Sequence, residues 1–377
     1  MPLIVIARIV MAWLGFALLA VAAWLLWTWI RGEPLTDPSG GVVIHREAWR
    51  LWTGLALVGW SLGGRWLALL LLARPDAAPA RPARDPGARM VAGTSGSDLY
   101  VEEIGAGAAV VLTHGWGLDS TIWRHARHDL AGFRIVGWDL PGLGRSRLGP
   151  DRDVTLEGFA ADLAGLIERQ NRPVVLVGHS IGGMIIQTLA RDRPELFGRE
   201  VAGVALLNTT YTNPLRTMIL SPLARALRPV IEGVLRLAIW LEPLAWLSAW
   251  QGYLNGTAHV ANRLGFGGAV TRSQLDHTTL LATRNPPGVQ ARGMLAMFRW
   301  DAAGAMAQAA CPVMILAGDR DIVTKPEASR AIAASSPRAV LRVMEDANHM
   351  GFLEQAPAYD EALADFARTC LAPAEGA

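Results

Sequence analysis

Hydrophobic and polar positions divide this chain into two unlike parts. Residues 9–30, IVMAWLGFALLAVAAWLLWTWI, run 22 positions without a charge. As an α-helix that stretch would be about 33 Å long, enough to cross the hydrocarbon core of a bilayer. It is too long for the core of an ordinary signal peptide, and no A-x-A-like cleavage site follows it cleanly. Trp24, Trp27 and Trp29 crowd its end, as aromatic side chains do at a membrane interface. A second apolar run, LWTGLALVGWSLGGRWLALLLLA at 51–73, holds Arg65 eight residues from its end. An arginine deep in hydrocarbon is costly, so it is expected to reach the interface or face the first helix. Gly54, Gly59, Ser61, Gly63 and Gly64 would let helices pack closely. The pattern predicts a two-helix membrane hairpin over 1–73, in preference to one span and an interfacial helix.

RPDAAPARPARDPGAR, at 74–89, has no hydrophobic periodicity and is rich in Pro, Ala and Arg. It predicts an extended linker over 74–90, roughly 50 Å at the rise of polyproline II. Beyond it the pattern changes. The short apolar runs LYVEEI, AVVLT, RIVGW, PVVLVG, VAGVALLN, PVMILAG and AVLRVM alternate with helical stretches such as TLEGFAADLAGLIERQ and YDEALADFARTC. Continuous apolar strands separated by helices predict an α/β fold with a mostly parallel sheet covered on both faces. No internal repeat is apparent.

Composition sharpens this division. Hydrophobic residues make up 51% of the 377 positions, and mean hydropathy is +0.26. Eight of the 15 tryptophans (13, 24, 27, 29, 49, 52, 60 and 66) fall in the front, as in a lipid-facing unit. A net charge of +2 offers no electrostatic case for a nucleic-acid partner. Cys311 and Cys370 are too few for a disulfide framework or a cysteine metal site.

The chemistry gathers at strand ends. VVLVG runs into Ser180, and Gly178 and Gly182 complete G-x-S-x-G, the pattern of a sharp strand-to-helix turn that exposes a serine hydroxyl. The N–H of Ile181, at the positive end of the following helix, would face a developing oxyanion. His179, inside the motif, is expected to pack rather than react. Upstream, VVLTHGWG ends in His114, Gly115, Trp116 and Gly117, a loop suited to bring the N–H of Trp116 to the same oxyanion. His114 is expected to orient that loop. Downstream, Asp319 and Asp321 follow one apolar strand and His349 follows the next. A neutral imidazole would take the serine proton, with a carboxylate holding its other nitrogen.

Taken together, HGWG at 114–117, DLPGLGRS at 139–146, GHSIGG at 178–183, GDRD at 318–321 and NHMG at 348–351 resemble the α/β-hydrolase superfamily over residues 91–372. The resemblance implies an α/β-hydrolase fold and gives the acid role to Asp321, with Asp319 as the alternative. It implies that Asp139 is structural, and serine at 180 argues against epoxide-hydrolase and dehalogenase chemistry. It also implies a helical cap at about 211–300, where LARALRPVIEGVLRLAIWLEPLAWLSAW (223–250) is strongly apolar and Pro229 interrupts any single helix. That cap either packs its apolar side on the cleft or touches the bilayer and admits a lipophilic substrate.

The expectation is therefore a membrane-anchored serine hydrolase with the triad Ser180, Asp321 and His349, acting on esters of hydrophobic acyl groups with no metal or organic cofactor. Its partners would be a hydrophobic small-molecule or lipid ester and the lipid bilayer. Acyl transfer, thioester, amide or carbon–carbon cleavage and perhydrolysis remain open chemistries. From another class, a membrane-bound binding module would keep the shape without the reaction. Arg8, Arg74, Arg81, Arg84 and Arg89 outnumber Arg31, Arg46 and Arg50, which puts both ends of a hairpin in the cytoplasm of what is expected to be a bacterial inner membrane.

Overall fold

The seven apolar runs all become strands. The computed structural model describes residues 2–77, 84–170 and 172–372. In chain order the strands of the main sheet are β3 (Arg89–Ala92), β4 (Asp98–Ile104), β5 (Ala109–Thr113), β6 (Arg134–Trp138), β7 (Val174–His179), β8 (Val201–Leu207), β9 (Val313–Gly318) and β10 (Ala339–Met344). A small separate ribbon holds β1 (Glu33–Thr36) and β2 (Val42–His45). The main sheet has the order β10-β9-β8-β7-β5-β6-β4-β3, with β5 to β10 parallel and β3 and β4 antiparallel at one edge. Val111, Leu176, Leu206 and Ile315 belong to the core on one face. Their neighbours Val110, Leu112, Val175, Val177, Leu207 and Leu316 belong to the core on the other. Apolar residues at consecutive positions are required because side chains alternate across a sheet buried on both sides.

Among the described residues, fifteen α-helices complete the fold. The front has α1 (Pro2–Arg31) and α2 (Ala48–Leu72), and the sheet is flanked by α3 (Arg124–Asp129), α4 (Leu156–Glu168) and α5 (Ile181–Asp192). Between β8 and β9 come α6 (Pro214–Thr217), α7 (Ser221–Ala226), α8 (Arg228–Trp240), α9 (Glu242–Leu254), α10 (Thr257–Arg263), α11 (Arg272–Arg284) and α12 (Pro287–Met297). Then follow α13 (Pro326–Ser335), α14 (Gly351–Glu354) and α15 (Ala356–Leu371). Phe159 and Leu163 of α4 and Ile185 and Ile186 of α5 pack on the first face of the sheet. Tyr359 and Leu363 of α15 and Ala126 of α3 pack on the second.

The front is a helical pair joined by the exposed β1–β2 ribbon rather than by a simple loop. By length and composition both helices are apolar enough to cross a membrane. The small residues of α2 divide their tasks. A Cβ on Gly54 would meet the Leu26 side chain of α1 at 2.8 Å, whereas one on Gly64 would lie 2.5 Å from the carbonyl oxygen of Asn255 in the 211–300 segment. Gly59 meets nothing. On α1, a Cβ at Gly15 would fall 2.5 Å from Asn255 Nδ2. Asn255 is therefore wedged between the two helices. Arg65 finds an aromatic partner rather than the first helix: its guanidinium lies 4.9 Å from the ring centre of Tyr253 on α9 and 4.4 Å from that of Trp66.

The segment after α2, expected as an extended linker, is anchored on both sides of its undescribed part. Its residues 78–83 lie outside the described ones, but Arg74 exchanges backbone hydrogen bonds with Val270 and Arg272 (both 2.9 Å), and Asp76 accepts from Ser273 N. Arg84 ends in a buried acidic nest: Nη1 donates to Asp139 Oδ2 at 2.7 Å and Nη2 to Asp119, with Glu102 at 3.8 Å. Its guanidinium also covers the Tyr100 ring at 4.6 Å. The domain boundary shifts accordingly, since β3 begins at Arg89.

Two predictions come from this packing. Removing one partner of a buried ion pair leaves the others uncompensated, so Arg84→Ala is expected to lose about 3 kcal/mol or more in chemical unfolding; a free linker would give no change. The second concerns Asp360 of α15, whose carboxyl is pushed up to about 7 by burial and by Asp129 beside it. A folded pKa above the unfolded one means the stability present at low pH is lost as pH rises through about 7. Asp360→Asn should therefore raise the thermal midpoint at pH 8, with the gain shrinking towards pH 4.

Candidate active site

The elbow at 178–182 is fixed by backbone contact. A Cβ on Gly178 would lie 2.5 Å from the carbonyl carbon of Gly182, and one on Gly182 would run into the carbonyl oxygen of Thr113 on β5. Only glycine lets strand and helix meet this closely. Between them Ser180 has φ 55° and ψ −117°, a conformation other residues seldom adopt. Four hydrogen bonds hold it there. Ser180 N donates to Leu207 O at 3.0 Å, and Ser180 O accepts from Gly183 N, Met184 N and Thr209 Oγ1 at 3.0, 3.2 and 2.6 Å. The side chain opens into a cavity of about 80 Å³ whose lining includes Gly115, Trp116, His179 and His349.

His349 arrives from the loop after β10, and its Nδ1 donates to Asp321 Oδ2 at 2.9 Å. Burial alone would raise the pKa of Asp321. The adjoining imidazole, its hydrogen bond and those from Thr324 N and Asn208 Nδ2 bring it down to about 2. The carboxylate also accepts from Val323 N at 2.7 Å and Thr324 Oγ1 at 2.7 Å. With Nδ1 protonated by this pairing, Nε2 is left as the basic nitrogen. It is buried and has no hydrogen-bond partner among the described residues. Asp319, the alternative carboxylate, instead accepts from Ala347 N at 3.1 Å, joining the two loops.

Two further histidines are structural by their contacts. His179 Nε2 donates to the carbonyl of His349 at 3.0 Å, and its ring lies 4.9 Å from that of His349 and 4.5 Å from Phe352. Burial and the nearby His349 push its pKa down to about 3, so it stays neutral. A Cβ on Gly115 would meet His179 Nδ1 at 2.6 Å, which accounts for the glycine. His114 donates from Nδ1 to Gly115 O (2.9 Å) and accepts Leu140 N at Nε2 (3.0 Å), tying the HGWG loop to the DLPG loop. Burial holds its pKa below the usual value. Asp139, in the DLPG loop, accepts from Ser120 N at 2.7 Å and Arg145 N at 2.8 Å as well as from Arg84.

Trp116 is held by the 287–297 helix. Its indole N–H donates to Gln290 O at 3.1 Å, and its ring occupies the space that a Cβ on Gly293 would fill. Ile181 follows Ser180 as the first residue of α5, with its side chain fully buried. Among the described residues neither the backbone N–H of Trp116 nor that of Ile181 has a protein acceptor.

Three polar residues beside the site went unread in the sequence. Asn208, with φ 44°, donates to Asp321 Oδ2 at 2.9 Å. Thr324 bonds the same carboxylate. Asn348 accepts from His349 N at 2.8 Å and Ile322 N at 3.2 Å, and donates to Leu264 O and Phe266 O. Their one signal is position: each follows a strand end or lies close to Asp321 or His349 in the chain.

Comparison with known proteins agrees with this architecture. The model of the alpha/beta hydrolase family matches residues 110–363. A pimeloyl-[acyl-carrier protein] methyl ester esterase of Chromobacterium violaceum is 28% identical over 284 residues, covering 72% of this chain and 99% of the relative. A thermophilic esterase from Thermogutta terrifontis superposes with a TM-score of 0.55 at 25% identity, over 75% of this chain and 98% of that one. An esterase from Exiguobacterium antarcticum shares the fold with a TM-score of 0.60 at 18% identity, over 74% and 98%. These proteins are matched nearly end to end by about three quarters of the chain. The chain belongs to the alpha/beta hydrolase family, as a hydrolase of the esterase type.

Proposed function

We propose that this protein is a membrane-anchored serine hydrolase that cleaves carboxylic esters of hydrophobic acyl groups through an acyl-enzyme on Ser180. The observation that carries the reading is His349, paired to Asp321 at 2.9 Å, with its unbonded Nε2 buried in the wall of the cavity that Ser180 lines. Ser180 Oγ attacks the ester carbonyl while His349 Nε2 takes its proton. The tetrahedral oxyanion is held by the N–H groups of Trp116 and Ile181, which have no other acceptor to leave. Collapse of that intermediate expels the alcohol, which receives the proton from His349. Water then repeats the sequence on the acyl-enzyme and restores Ser180. Ester chemistry is also what the names of the relatives carry.

Membrane anchoring rests on exposed hydrocarbon. Trp13, Trp24, Trp52, Trp66 and Leu71 are 61, 56, 67, 62 and 74% exposed. A core helix of a water-soluble domain would bury such residues; here 17% of each apolar window is buried. The cap (α6–α12) adds Trp240 on α8, and Leu244 and Leu247 on α9 next to α1, to the exposed apolar surface. With both helices crossing, the N-terminal tail and the hydrolase domain share one side, which the arginine balance assigns to the cytoplasm.

Hydrolysis of p-nitrophenyl butyrate by the purified full chain tests the reaction. Ser180→Ala is expected to lower kcat by about 10³ or more; a variant that keeps the wild-type rate contradicts the reading. Gly293→Ala probes the oxyanion loop from a distance. An alanine inside a helix normally adds stability, but here it displaces the Trp116 indole. We expect kcat to fall by about tenfold or more with the fold intact, as measured by steady-state kinetics beside a thermal melt.

A further inference from the structure

Next to the catalytic cavity is a second, open-sided one of about 150 Å³, between α8, α9 and α12. Ala282, Gln290 and Met294 line both, so the two share a wall. The opposite wall of the second cavity includes Trp13 of α1. A helix that precedes the hydrolase domain thus flanks a hollow in the cap. Among the described residues the lining is apolar apart from Ser248 and Gln290 and includes no charged side chain.

We propose that this second cavity holds the unbranched hydrocarbon chain of an acyl group whose ester carbon sits at Ser180, and that Trp13 forms part of the site. The inference rests on the proposed esterase reaction and names its substrate class. An apolar hollow of this kind gains from covering its surface with an apolar guest. With no charged or clustered polar group to receive it, a phosphate or carboxylate head group would be stranded there. The catalytic cavity is the smaller of the two and carries the polar groups of Ser180, His349 and Asn262 in its lining, so a long chain needs another place.

The shared wall allows passage. Gln290 is fixed, its Nε2 donating to Ala282 O at 3.0 Å and Asn285 O at 2.8 Å. Ala282 is small, and Met294 is unbranched and repacks readily. On the outer side, Leu237 and Leu244 line the cavity while each is 52% exposed. The chain therefore enters from the apolar outer face, where a bilayer supplies it. The seat of Gly15 on Asn255 fixes α1, and with it Trp13, against the cap.

The test uses the full chain in lipid nanodiscs and a decyl fluorophosphonate bearing a diazirine at the far end of its chain. The phosphonate should label Ser180, and irradiation should then cross-link the chain end to peptides of α1, α8 or α9, with Trp13 among the sites. In parallel, Trp13→Ala and Ala245→Phe should each lower the ratio of kcat/KM for p-nitrophenyl decanoate over acetate by about tenfold, since each buried methylene is worth about fourfold. Labelling of Ser180 with cross-links confined to other elements, or an unchanged ratio in both variants, overturns this inference and leaves the esterase reading standing. Failure of the folded protein to label at Ser180 defeats that reading and this inference with it.

Discussion

Strand β7 and helix α5 touch backbone to backbone at residues 178–182, and the rest of the site is arranged around the consequence. The contact needs glycine at both ends and leaves Ser180 in left-handed backbone space. A residue held there is costly unless its surroundings over-determine it. They do: neighbouring strand β8 and its following loop supply Leu207 O and Thr209 Oγ1 as fixed partners. Because β7 is central and parallel to both neighbours, the turn opens at the carboxyl edge, where the loops after β5, β9 and β10 also end. Ser180, His349 and Trp116 line one cavity for that topological reason.

The cap joins this edge to the front of the chain. On one side it grips the 114–117 loop, through Gln290 O and the space beside Gly293 for the indole of Trp116. On the other it receives the two apolar helices, with Asn255 between Gly15 and Gly64 and Tyr253 under Arg65. The cap thus touches both the front helices and the loop that carries Trp116. The same arrangement explains Arg65, an expensive residue in an apolar run until its aromatic partner is seen.

Much of this was legible in the sequence. Seven strands announced themselves because a sheet buried on both faces demands uninterrupted apolar runs, and Ser180, His349 and the carboxylates stood out at the ends of those runs. Asp321 could be separated from Asp319 by the family pattern alone; the structure distinguishes them by which carboxylate His349 bonds. Other features depend on partners distant in the chain. Arg84 reads as one more linker arginine until Glu102, Asp119 and Asp139 are brought together around it. Helical spacing groups Gly54, Gly59 and Gly64 as small residues but does not say that one meets α1, one meets nothing and one meets the cap. Four-residue strands such as β1, β2 and β3 are too short to show a period against their surroundings.

The central claim is that a bond forms between an acyl group and one serine oxygen. Its most direct test is the mass of the full chain quenched in acid during turnover of a slowly hydrolysed ester. The account predicts an added mass equal to the acyl group, confined on digestion to the peptide that contains Ser180 and absent from Ser180→Ala. Turnover with no added mass, or an acyl group mapped to a different residue, would contradict it.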